Sequence, residues 1–181
     1  MAEKYDINRI SYLQNRDVFV DSNILIYWNW ATGSEQKERE YSSVYQKLME
    51  QKNRLFADFF VISEVVNRMI KEQYRTKIET EKRDNPNFSL SYKKYRDSDD
   101  GQQILKEIYT IIKNQIEYLN IIEKSFSEED IINFLNVDNL DFNDKGIVKI
   151  CQENKFVLLT DDHDYKNSDI DILTCNKKIL N

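Results

Sequence analysis

Glycine and proline are nearly missing from this chain, with three and one in 181 residues. That scarcity limits irregular backbone and favours helix. Histidine occurs once, at His163, so neither a histidine-based metal site nor a two-histidine ribonuclease mechanism is available. Cys151 and Cys175 are the only cysteines and form neither a disulfide framework nor a metal-ligand spacing. Both read as buried or partly buried thiols in a reducing compartment, so cytoplasm is the expected location. No apolar run reaches the roughly 18 residues of a membrane span, and residues 1–16 are polar, without the core of a signal peptide. An excess of positive charge is also missing: the net charge is −6. This argues against broad, nonspecific binding to nucleic acid. It does not exclude an enzyme acting on RNA, because local fields outweigh totals and metal-bound acids no longer repel a substrate. There is no phosphate-binding loop, no G-x-G-x-x-G and no nucleophile elbow.

What remains is an ordinary globular balance, 40% hydrophobic and 32% charged, with 12% aromatic residues. The length suits one domain over 1–181, with a core that needs no disulfide. Val18-Phe19-Val20 is a short β-branched run and reads as a buried strand. A helix is expected from near Ile24. Tyr41, Val44, Tyr45 and Leu48 give helical spacing within 35–53. Arg54 to Ala57 reads as a short strand. Ile62, Val65, Val66, Met69 and Ile70 mark a helix running towards residue 80. Residues 84–100 hold the proline and several Ser, Asn and Asp, and read as a loop. A third long helix is expected from Gln102 to Leu119, then a short strand at Ile121-Ile122. Ser127 and Asp130 have capping-box spacing ahead of Ile131 and Ile132, so a helix should start at Ser127. A helix over 143–154, a buried strand at Phe156–Leu159 and a strand around Ile170–Leu173 complete the chain. Helices separated by short buried strands predict a three-layer α/β/α sandwich around a short, mostly parallel sheet.

In such sheets ligands bind beyond the carboxyl ends of the strands. Two strands here run into acids: Val18–Val20 into Asp21, and Phe156–Leu159 into Thr160-Asp161-Asp162. Asp is also a common turn and cap residue, so either site alone has an ordinary explanation; two such ends together are harder to dismiss. Asp144 lies in line with Ile147, Val148 and Cys151, at the start of its helix. The helix dipole explains that place along the axis. It does not explain the face, where a carboxylate is costly unless paired or bound to metal. Asp141, one turn earlier, could share that face. Glu64 falls roughly opposite its helix's apolar stripe and, on residues alone, reads as a solvated glutamate.

These blocks resemble the PIN-domain nuclease family, especially the VapC-like toxins of toxin–antitoxin pairs. The likeness rests on Phe19-Val20-Asp21-Ser22-Asn23-Ile24-Leu25, on Ile62-Ser63-Glu64-Val65-Val66, on Asp144 ahead of a buried strand, and on Thr160-Asp161-Asp162-His163-Asp164-Tyr165, which is similar to the family's T-x-D-x-D-F. Asp171 to Asn176 also resembles its last strand. Together these cover about 90 residues in three blocks. The resemblance implies a PIN-like fold and a metal-binding, catalytic set of Asp21, Glu64, Asp144 and Asp162. Asn23, Thr160, Asp141 and Asp164 would support it. Oxygen ligands favour Mg²⁺ or Mn²⁺. The implied activity is endoribonucleolytic hydrolysis of RNA phosphodiester bonds by metal-activated water. The implied partners are an RNA substrate, an antitoxin protein and a second copy of the chain. Residues 75–125 have no clear counterpart and read as a helical insertion.

Residues 68–96 hold nine Lys and Arg against four acids, a local charge of +5. With Tyr92 and Tyr95 beside Arg75, Lys93, Lys94 and Arg96, the segment suits single-stranded RNA through phosphate contacts and stacking; the plainer reading is a solvated helix and loop. His163 reads as a loop residue. Two other functions stay open: a PIN-like adaptor that binds RNA or protein without catalysis, and, from Asp21-Ser22-Asn23, a haloacid-dehalogenase-like phosphatase. The latter family needs a second Asp where Asn23 stands.

Overall fold

The central strands are short, and every residue in them is covered on both faces. Val18–Val20 (β2) and Val157–Leu159 (β5) are fully buried, the pattern of a parallel sheet enclosed by helices. A computed structural model describes residues 2–30 and 33–181. The other strands are Lys4–Tyr5 (β1), Leu55–Ala57 (β3), Asn120–Ile121 (β4) and Ile172–Leu173 (β6). Together the six form one sheet in the order β1-β6-β5-β2-β3-β4. Every pairing is parallel.

The helices are α1 (Ser22–Asn29), α2 (Glu35–Glu50), α3 (Phe59–Asp84), α4 (Tyr92–Arg96), α5 (Asp99–Ile116), α6 (Glu128–Phe134), α7 (Phe142–Asn154) and α8 (Lys177–Leu180). Their starts are written in side chains. Asp58 accepts from Val61 N to cap α3, and Ser98 accepts from Gly101 N to cap α5. Ser127 and Asp130 form the expected reciprocal box on α6. Asp141 accepts from Asp144 N on α7. Helix α1 packs on both α2 and α3, and α3, α4 and α5 pack on one another. The return from the β4 edge to β5 runs through α6 and α7, and right-handed crossover puts these two on the opposite face.

One expectation needs correction, and two features go beyond the sequence reading. The segment 84–100 is not all loop, because α4 forms within it and is capped by Ser91. The helix begun by Ile62 runs past residue 80 to Asp84. The strand pair β1–β6 at one edge was not foreseen for Lys4–Tyr5, whose two residues carry no periodicity. Gly101 has a steric reason: a Cβ there would lie 2.1 Å from the Tyr95 carbonyl oxygen, so α5 can start against α4 only without a side chain. No helix among the described residues is long and apolar enough to cross a membrane.

Candidate functional site

The register β2 to β5 pairs Val20 with Leu159, so Asp21 and Thr160 emerge side by side at the carboxyl edge. Asp21 N donates to Leu159 O at 3.0 Å. The Asp21 carboxylate then does two things. It caps α1 by accepting from Ser22 N at 2.6 Å. Its other oxygen accepts from Thr160 Oγ1 at 2.6 Å and Asn23 Nδ2 at 2.8 Å. Asn23 Oδ1 accepts in turn from Asp161 N at 3.2 Å, and Thr160 Oγ1 from Asp162 N at 2.9 Å. Asn23 and Thr160 thereby staple the two strand ends together. Asp21 is only 4% exposed. Burial raises its pKa to about 6 despite these hydrogen bonds, with Glu64 and Asp162 adding repulsion.

Asp144 enters from α7. Its carboxylate accepts from the Tyr165 hydroxyl at 2.5 Å. Its pKa is pushed up to about 7, first by burial and then by the charges of Asp141, Asp21 and Asp162, against the lowering effect of Tyr165. Asp162 starts the 3₁₀ turn His163–Asn167 and accepts from Asp164 N at 3.0 Å. Glu64 is half-buried on α3 and lies 3.4 Å from Arg68. The buried stripe of α3 is Val61, Val65, Met69 and Ile70. It is rotated from the stripe read in the sequence, which moves Glu64 from the back of the helix to its flank, within electrostatic reach of Asp21.

Asp21 thus lies within the field of Glu64 and Asp162, and Asp144 within that of Asp21 and Asp162. Among the described residues, however, no three His, Cys, Asp or Glu side chains form a set that could hold a metal ion as placed. The donor chemistry fits a hard divalent cation: oxygen only, with a surplus of negative charge. Asp141 serves as the α7 cap. Asp164 is exposed, and its carboxylate meets the exposed His163 ring at 3.2 Å.

The sequence reading missed several contacts. Tyr165 is fully buried and was legible only as the aromatic end of a motif. Asp161 points away from its neighbours into a clamp: Lys37 Nζ at 2.6 Å, Tyr41 OH at 2.8 Å and Tyr27 OH at 3.1 Å. Burial, with Asp161 nearby, raises the Tyr27 phenol to about 12. Asp58, one strand over from Asp21, is a further buried strand-end acid; its side chain is used as the α3 cap.

The basic segment differs from expectation in its aromatics. Tyr95 is buried, and Tyr74 packs on both Tyr92 and Tyr95 with ring centroids 5.6 and 5.7 Å apart. Tyr95 is therefore core and not a stacking platform. Arg75 pairs with Glu72 and Arg96 with Asp97, while Lys93 and Lys94 are exposed. At about 1.5 Å per helical residue, Arg75 lies roughly 16 Å along α3 from Glu64.

No protein-family model matches this chain. No curated protein matches it either. Among solved structures, it is similar to a chain in the crystal structure of VapBC2 from Rickettsia felis bound to a DNA fragment from their promoter, with 14% identity, a TM-score of 0.49, and coverage of 87% of this chain and 97% of that one.

Proposed function

We propose that this chain is a PIN-like, divalent-cation-dependent endoribonuclease. Its site is Asp21, Glu64, Asp144 and Asp162, supported by Asn23 and Thr160. The observation that carries the reading is the union of two parallel strand ends through Thr160 Oγ1 and Asp21, with Asp144 brought into the same field by α7. An edge that concentrates acids and raises the pKa of two of them is costly unless it serves a cation. Mg²⁺ or Mn²⁺ bound there would supply positive charge to the phosphoryl group and acidify a coordinated water.

The chain's own residues have definable parts. Asp21 is fixed by three donors, so it presents a preset ligand. Asn23 and Thr160 hold the loop that carries Asp162. Glu64 must exchange Arg68 for the cation. The resemblance to VapC-like toxins extends the proposal to an RNA substrate, an antitoxin partner and a second copy of the chain.

The test is cleavage of single-stranded RNA with Mn²⁺ by the parent, Asp144→Asn and Asp162→Asn. The parent should cleave and both variants should not, while Mn²⁺ raises the melting temperature of the parent. Parental rates in both variants would remove the site assignment. A parent with neither cleavage nor Mn²⁺-dependent stabilisation would be the non-catalytic adaptor.

A further inference from the structure

Tyr165 is a large side chain with no solvent exposure, and burying a phenol requires a partner for its hydroxyl. Among the described residues that partner is the Asp144 Oδ1 atom. The contact spans 21 residues and joins two segments that share no sheet pairing: the first turn of α7 and the 3₁₀ turn after β5. That turn begins at Asp162, whose own carboxylate accepts from Asp164 N. One short turn therefore carries an acid of the site at its start and, three residues later, the group that grips a second acid on another element.

The local chemistry makes this grip directional. Asp144 sits among Asp141, Asp21 and Asp162, all of which repel its charge. Left alone, the side chain would swing from the cluster towards water. A hydroxyl can donate only one hydrogen bond, and this one goes to Oδ1, so the carboxylate is held by one oxygen with the other left to a ligand. The phenol ring is itself locked in the core and cannot follow Asp144 outwards.

We infer that Tyr165 is a positioning residue: its hydroxyl holds Asp144 inwards, within the field of Asp21 and Asp162, so that these carboxylates need only close on a divalent cation and not be gathered from solvent. The inference rests on the proposed metal site and deepens it by naming what presets it. Oriented outer partners of metal ligands are worth roughly 10–100-fold in affinity, and that is the scale expected here.

The test uses the whole chain and Mn²⁺ alone, without RNA, titrated calorimetrically into the parent, Tyr165→Phe, Asp144→Asn and the double variant. Tyr165→Phe keeps the ring, so the core remains filled. It should weaken Mn²⁺ binding by about tenfold or more. In the Asp144→Asn background the same change should have no further effect, because the group it positions no longer binds. Chelator-treated Tyr165→Phe should still unfold in one cooperative transition. A purely structural tyrosine would lower the melting temperature and leave Mn²⁺ affinity at the parental value; that result, or additive losses in the double variant, overturns the inference. If Asp144→Asn itself binds Mn²⁺ like the parent, the metal-site reading has failed and takes this inference with it. If Asp144→Asn loses binding and Tyr165→Phe does not, only the inference has failed.

Discussion

Stability should fall as pH rises from about 4 to 7 when divalent cations are removed. Asp21 has its pKa raised from 3.8 to about 6 by burial. The folded state thus prefers the protonated acid. Below the unfolded pKa both states are protonated and nothing is lost. Between the two values the unfolded chain has released its proton and the folded chain has not, so each step up in pH favours unfolding. Above about 6 the loss is complete. At about 1.4 kcal/mol per unit, the shift of roughly two units costs about 3 kcal/mol. Asp144, raised to about 7, extends the same trend upwards; it is more open to solvent, so its share is smaller than its shift alone implies. Asp58 is raised too, also by burial. The acids shifted the other way are Asp130, lowered to about 2 by Ser127 and then Lys149, with Asp138 and Glu153. Their stabilisation is lost only as pH falls below the ordinary carboxylate range, so the two windows separate. The assay is urea unfolding at half-unit intervals of pH in chelator, repeated with saturating Mn²⁺. Mn²⁺ binds the ionised acids and should flatten or invert the slope. Asp21→Asn should remove most of the slope. Its absolute stability is a poorer guide, because the new amide N–H₂ would face a donor in either orientation, Ser22 N on one side or Asn23 Nδ2 on the other. A free energy that is flat or rising from pH 4.5 to 7.5 in chelator would refute the reasoning.

Gly101→Ala should destabilise the chain by about 1–3 kcal/mol, a fall of roughly 2–12 °C in melting temperature, because the added carbon meets backbone at 2.1 Å; an unchanged melting curve would show that α4 yields freely. His163→Ala should keep RNA cleavage within about twofold of the parent, since the ring is exposed and touches Asp164, not Asp162; a loss matching that of Asp162→Asn at normal Mn²⁺ affinity would place the imidazole in the chemistry.

Much of this is legible in the sequence, where the deciding physics is local. Val18–Val20 and Phe156–Leu159 announce buried strands because no polar residue interrupts them. Ser127 and Asp130 cap α6 because their spacing matches the first turn of a helix. Asp144 is suspect because its face, not its place along the axis, is wrong for a solvated acid. Strand ends that finish in Asp21 and Thr160-Asp161-Asp162 pointed to one edge of a sheet. Tertiary structure alone decided the rest. The hydrogen bond between Asp21 and Thr160 joins residues 139 positions apart, and no local pattern sets a parallel register over that separation. Two-residue strands such as Lys4–Tyr5 carry no period to detect. Glu64 moved from the back of α3 to its flank because the packing of Val61 and Val65, not the count of apolar residues, chose the buried face. Tyr95 is buried because α4 folds back on α3 and its ring packs on Tyr74, a contact 21 residues away in sequence. The grip of Tyr165 on Asp144 and the clamp on Asp161 link separate elements, so they exist only once the chain has closed on itself.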